Sequence, residues 1–440
     1  MALIVIRSRK SIWIRAAVLA SCAALAVAGC SSDDESTTSS SSTTTTSANS
    51  ALKDIDPAAF QSAIEAAANE LKVPGALVLV RTPEGETVAS VGTTELGTQT
   101  APEKDTHVRI ASNTKTMTSA LIVLLAQDGK LKFSDPVSDY VPGVPNGENI
   151  TIANLLKMRS GLYNYTMDPA VGAVMDSDPG KAWTPQEALD IAFSHPPNFA
   201  PDAEYEYNNT NYALLGLVAE KVGGQPLQQQ LQERLYGPHG LTETSVPLNT
   251  DTSIPSVFSN GYMYGGSYYA LADVPYPADI QSGAEAGTLQ PIDYTHQNPS
   301  YATAAGGAIS TADDMANWME ALVSGKVFNA EYQQQWVDSR QLEVPDDQDN
   351  PYAKEYGYGI SYQHFGPNAP MFYHGGELPG FNSFMGYDPE NDVTLVIWTN
   401  LTLSPEGQTT AQGMLATVVD EIYQGLNLVP PPTETPTPTS

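Results

Sequence analysis

The chain has 440 residues, 41 % of them hydrophobic, which is ordinary for a globular protein able to bury one large core or two moderate ones. Acids outnumber bases 50 to 20, for a net charge of −30. This balance argues against nucleic acid as a partner, because its binders need a basic surface, and gives only weak attraction to anionic lipid.

The N-terminus reads as an export signal. Arg7, Arg9, Lys10 and Arg15 form a basic region, and Ala16 to Gly29 form an apolar stretch too short to cross about 30 Å of hydrocarbon. Val27-Ala28-Gly29-Cys30 then resembles a bacterial lipobox, in which a cysteine after small residues is lipidated and becomes the mature N-terminus. A plain signal peptide or short anchor is the other reading. The expected layout is a signal over 1–29, then lipidated Cys30 with a Ser/Thr-rich tether over 30–55. A globular body follows over 56–428, and a disordered Pro/Thr tail over 429–440. About 20 tether residues average roughly 25 Å end to end. Cleavage after residue 29 removes four of the 20 bases, leaving 16 against 50 acids. Cys22 lies within the signal, so an acylated Cys30 leaves the mature chain no thiol for a disulfide, a nucleophile or a metal.

The body begins with helical spacing in "AFQSAIEAAANELKV". "GALVLVRTPEGETVASVGTTEL" reads as a hairpin turning at "PEGE". A helix follows in "RIASNTKTMTSALIVLLAQDGKL", apolar on nearly every side from residue 117 to 126. From about 133 to 301 short helices and loops rich in Pro, Gly, Tyr and Asn suggest an insertion. Near the end, "YGYGISYQH", "MFYHGGEL", "FNSFMGY" and "DVTLVIWTNL" are strand-like, "PEND" is a turn, and 409–424 read as a closing helix. Strands and helices at both ends around a helical middle predict an α+β domain assembled from the two chain ends.

Ser112 and Lys115 stand one helical turn apart at the mouth of the buried helix. A lysine there is partly desolvated, and desolvation lowers its pKa. A neutral amine can take the proton of a neighbouring hydroxyl and make it a nucleophile. On spacing alone the pair reads first as polar positions on a helix surface, and second as a catalytic pair. A second Ser-x-x-Lys, Ser50 to Lys53, borders the tether and cannot preorganise a site. Two later motifs add weight: Tyr207-Asn208-Asn209 before an apolar helix, and His374-Gly375-Gly376 beside strand-like sequence.

Taken in order, Ser-x-x-Lys, Tyr-x-Asn and His-x-Gly resemble the penicillin-recognising serine hydrolases. That group holds class C β-lactamases, DD-carboxypeptidases and related esterases. The likeness covers about residues 57 to 425 and includes "LLKMRSGL", "NTNYALLGLVAEKVGG", "GLTETS" and "AAGGAISTADDMANWM". It implies a β-lactamase/DD-peptidase-like fold, an antiparallel sheet flanked by helices with a mainly helical insertion. It also implies roles. Ser112 attacks a carbonyl, Lys115 and Tyr207 share its proton as a coupled pair, and Asn209 hydrogen-bonds the substrate amide. His374 and Gly376 complete the substrate wall, and the N–H groups of Ser112 and Glu377 form the oxyanion hole.

The third motif departs from relatives that carry lysine and a hydroxyl residue there. His374 replaces the lysine, Gly375 offers no hydroxyl, and Glu377 adds a negative charge. Carboxylate-bearing substrates, classical β-lactams and D-Ala-D-Ala ends among them, are therefore expected to be handled poorly. An anion-binding His374 would have to be protonated, against a reference pKa of about 6.5. His107, His195, His239 and His296 show no metal spacing, so no metal or other cofactor is expected. The tyrosines between 262 and 301 are expected to pack the insertion rather than line a cleft. The expected protein is a lipid-anchored monomer on the outer face of the bacterial plasma membrane, acting on a small-molecule or peptide substrate such as a peptidoglycan stem peptide. An esterase of the same fold and a catalytically silent binding lipoprotein are the alternatives.

Overall fold

A computed structural model describes residues 51–272 and 274–426; the signal, Cys30, most of the tether and the tail lie outside the described residues. The first helix, α1 (Pro57–Glu70), starts where Asp56 accepts from the Ala59 N–H and Pro57 takes the first helical position. Strands β1 (Gly75–Thr82) and β2 (Gly85–Gly92) form the first hairpin, pairing Thr82 with Gly85 across the turn inside "PEGE". Helix α2 (Thr114–Gln127) is buried from Thr114 through Ala126 and packs against α3 (Asn209–Gly223). Beyond the inserted region, α4 (Ala312–Val323) precedes β3 (Gln341–Leu342), β4 (Glu355–Tyr356), β5 (Ser361–His364), β6 (Pro370–Leu378), β7 (Phe381–Asp388) and β8 (Val393–Thr399). Helix α5 (Thr410–Ile422) closes the described chain.

The eight strands form one antiparallel sheet in the order β2-β1-β8-β7-β6-β5-β4-β3. The chain ends meet within it, as the second and third strands from one edge, with Ala76 opposite Thr399 and Arg81 opposite Thr394. β1 and β8 are apolar on both faces because helices cover both. Val78, Val80, Leu395 and Ile397 pack under α1 and α5 with Phe60, Ile64, Val418 and Ile422. Leu77, Leu79, Val396 and Trp398 face the other way, into the larger core with α2 and α4. Each such fully buried side chain contributes about 1.5–3 kcal/mol. The fold is the expected α+β arrangement of an antiparallel sheet flanked by helices.

The region 133–301 holds short helices and also a strand pair, Tyr262–Met263 with Ile292–Asp293. The Tyr262 N–H reaches the Gly380 and Asn400 carbonyls, which ties this pair to the end of the main sheet. Tyr262, Tyr264, Tyr276 and Tyr294 form a core there with Leu401 and Leu403, as expected of packing residues. Among the described residues no helix is long and apolar enough to cross a membrane.

Candidate active site

The helix expected across 109–131 does not start at Arg109. Val108–Arg109 pairs with Ile309–Ser310 as a short strand, and a 3₁₀ turn over Ala111–Asn113 carries Ser112 ahead of α2. Ala111 has φ +50°, a left-handed conformation unfavourable for alanine, and the surroundings hold it. Asn113 Nδ2 donates to the Ile110 carbonyl at 3.0 Å and to Ser383 Oγ at 2.8 Å. Thr114 Oγ1 donates to the Ala111 carbonyl at 2.7 Å and accepts from the Ala308 N–H at 3.0 Å.

Lys115 is 0 % exposed. Its Nζ lies 2.8 Å from Asn209 Oδ1, 2.7 Å from the Ala305 carbonyl and 2.9 Å from Ser112 Oγ. The first two partners can only accept, so they take two N–H bonds. The third direction points at a hydroxyl, which can give or receive a proton. Burial holds the Lys115 pKa well below its ordinary value. An uncharged amine with two N–H groups so occupied directs its lone pair at Ser112 Oγ.

Tyr207 precedes α3 and hydrogen-bonds Ser112. Its ring centroid lies 4.9 Å from Lys115 Nζ. One edge of the ring is open to the cleft, making the residue 37 % exposed, while its hydroxyl sits against the serine. Burial of that end raises its pKa, the Ser112 bond opposes this, and the charge of Glu377 adds to it. The amine is therefore the stronger candidate for base, with the neutral phenol placed to relay a proton. Asn209 is positioned by the Asn208 N-cap, whose side chain accepts from the Thr210 N–H at 2.8 Å. Its Nδ2 donates to Thr166 Oγ1 at 3.1 Å and its N–H to Asn164 Oδ1 at 3.2 Å.

Across the cleft runs β6. A Cβ on Gly376 would sit 2.2 Å from the Ile110 carbonyl and 2.5 Å from Ser383 Oγ. Only glycine lets the strand press this closely on the turn that carries Ser112. β5 pairs with β6 only from Pro370 to Tyr373, so residues 374–378 have no partner strand on that edge. Ser112, Tyr207, Asn209 and Glu377 line one cleft of about 350 Å³, with Tyr301 and Leu271 among its other walls.

The structure does not bring His374 to that cleft. It is 3 % exposed, its Nε2 accepts from the Tyr356 hydroxyl at 3.1 Å, and its Nδ1 donates to the Gly375 carbonyl at 2.6 Å. Burial first, and second any proton carried by Lys115, push its pKa down to about 3. The imidazole is neutral and sits behind the wall, so the cationic anchor considered from the sequence is not present. Tyr301 was expected to pack and does, yet it also lines the cleft. Asn164 and Thr166, which hold Asn209, carried only a turn-like signal in "YNYT", and the Ala305 carbonyl carried none.

A family model described as Beta-lactamase matches residues 60–418. The chain belongs to the beta-lactamase family. Members of the beta-lactamase family are serine hydrolases, and this chain has their fold. It is 25 % identical over 324 residues to a Bacillus subtilis (strain 168) protein named as penicillin-binding protein PbpX, covering 73 % of this chain and 67 % of that one. It is also 25 % identical over 360 residues to an Escherichia coli (strain K12) protein named as a D-alanyl-D-alanine carboxypeptidase, covering 72 % and 76 %. Among solved structures, a D-stereospecific amidohydrolase from Streptomyces sp. superposes with TM-score 0.69 at 28 % identity, over 82 % of this chain and 97 % of that one.

Proposed function

We propose that this beta-lactamase-family hydrolase cleaves an amide through a Ser112 acyl-enzyme, in the manner of D-stereospecific amidohydrolases and D-alanyl-D-alanine carboxypeptidases. The three-way seat of Lys115 Nζ between Asn209 Oδ1, the Ala305 carbonyl and Ser112 Oγ carries this reading. Lys115 takes the Ser112 proton as Oγ attacks the carbonyl carbon. The oxyanion so formed faces the N–H groups of Ser112 and Glu377, each worth about 3–4 kcal/mol in the transition state. When the carbon–nitrogen bond breaks, the leaving amine receives a proton through Lys115 and Tyr207. Water then attacks the acyl-enzyme, and its proton returns by the same route to restore the serine.

Esters are a second substrate class of the same site, favoured by the absence of a cationic side chain among the described residues that line the cleft. The lipobox-like Val27 to Cys30 supports a lipid anchor at the cell envelope, where peptidoglycan stem peptides are within reach. The test is mass spectrometry of the intact protein after exposure to a β-lactam and to p-nitrophenyl acetate. An adduct that maps to Ser112 and vanishes in Ser112→Ala supports the acyl-enzyme. Unchanged hydrolysis in Ser112→Ala refutes it.

A further inference from the structure

We infer that Glu377 and Tyr301 form a subsite for a protonated amine, so that the preferred substrate is an amide whose acyl part bears a free α-amino group. This rests on the acyl-enzyme reading above and specifies its substrate. Among the described residues lining the cleft, Glu377 is the one with a formally charged side chain. The lysine behind Ser112 is buried and turned toward three fixed partners, so it offers a ligand no cation.

Tyr301 supplies the second observation. It lines the same cleft, is 3 % exposed, and its hydroxyl has no hydrogen-bond partner among the described residues. Tyr301 is also held in place, because its carbonyl accepts from the Tyr165 hydroxyl at 2.7 Å. Tyr301 lines the cleft, and a buried hydroxyl without a partner is satisfied when a ligand supplies one. Burial is the main cause that raises the phenol pKa values of Tyr207 and Tyr301, and the charge of Glu377 adds to it at both, so the carboxylate is in the electrical neighbourhood of the two.

The chemistry of the pair selects a sign. An ammonium group has three donors and no acceptor. It can give one hydrogen to the Tyr301 oxygen while its charge is attracted by Glu377. A carboxylate has only acceptors and is repelled by Glu377. Position then bears on where the amine lies. Gly376 is pressed against the Ile110 carbonyl, two residues before Ser112, and Glu377 follows Gly376 directly. An α-amino group on the acyl part is the amine that this shared cleft would bring nearest to both Ser112 and Glu377.

The experiment compares kcat/KM for D-leucine amide, N-acetyl-D-leucine amide and N-succinyl-D-leucine amide. In the wild type the free amine is expected to lead the acetylated substrate by about tenfold or more, and the succinylated substrate to be slowest. Glu377→Gln should bring the amine-to-acetyl ratio near one, chiefly by raising KM for the amine. Tyr301→Phe should lower the ratio by a smaller factor. Fluorophosphonate labelling of Ser112 reports whether each variant keeps its site. If Glu377→Gln is not labelled, Tyr301→Phe, which removes one oxygen atom, decides. A wild-type ratio at or below one, or a ratio unchanged in the labelled variants, overturns the subsite. A wild type that is neither labelled nor active on any ester or amide overturns the hydrolase reading, and the subsite with it.

Discussion

Replacing Asn209 by aspartate changes one atom and the charge next to the proposed base. Asn209 Oδ1 lies 2.8 Å from Lys115 Nζ, and burial already favours the uncharged amine. A carboxylate at that distance attracts an ammonium by about 6 kcal/mol at an effective dielectric of 20. Screening by the solvent-filled cleft and by relaxation of the site cuts this to roughly 3 kcal/mol, or about two pKa units, in favour of the charged lysine. The reactive form is the neutral amine, which exists above the lysine pKa. Asn209→Asp should therefore move the acidic limb of the acylation profile about two units toward higher pH, and slow acylation about 100-fold below it. The assay is the second-order rate of Ser112 acylation by p-nitrophenyl acetate from pH 5 to pH 10. A limb at the wild-type position, with an intact fold by circular dichroism, would show that Lys115 is not the base.

Lys115→Met should abolish Ser112 acylation and change the pH dependence of stability. The folded pKa of Lys115 lies below its unfolded value of about 10.4, so the unfolded chain binds more protons and wild-type stability rises with pH between the two values. The thermal midpoint of the variant minus that of the wild type should thus be larger at pH 6 than at pH 10; an equal difference at both contradicts the buried amine. Gly376→Ala places a methyl 2.2 Å from the Ile110 carbonyl and should cost about 2 kcal/mol or more in urea unfolding, with Ser112 labelling slowed about 100-fold as β6 shifts. Because His374 is held neutral, with a pKa of about 3, turnover of a carboxylate substrate from pH 5 to pH 9 should show no fall centred near 6.5. A fall there that disappears in His374→Asn would restore the charged histidine.

Much of the architecture was legible because burial writes itself into spacing. The apolar runs at Gly75–Val80 and Val393–Trp398 announce strands covered on both faces, and the unbroken apolar stretch after Lys115 announces a helix through the core. That Ser112, Lys115 and Tyr207 come together was foreseeable because the motifs that hold them are read by side-chain type at fixed separation. Other parts were not. The Ala305 carbonyl that orients the amine belongs to the backbone, which every residue shares. The retreat of His374 behind the wall depends on Tyr356, 18 positions away on another strand, which no local pattern links to it. Gly376 stood out as a motif position, but the reason for glycine is the closeness of Ile110, visible only in three dimensions. Tyr301 resembled its packing neighbours because a wall residue and a core residue leave the same trace in sequence.

The pairing of Gly75–Thr82 with Val393–Thr399 inside the sheet has a consequence for how the molecule comes into being. The strand made early must wait more than 300 residues for its neighbour, and closing so long a stretch of chain is slow. A polypeptide cut short before Val393 lacks the strand that joins β1 and β2 to the rest of the sheet. On this reading competence is all-or-none along the length of synthesis: a nascent fragment is expected to lack hydrolase activity, which should arise only when the last strand slots home.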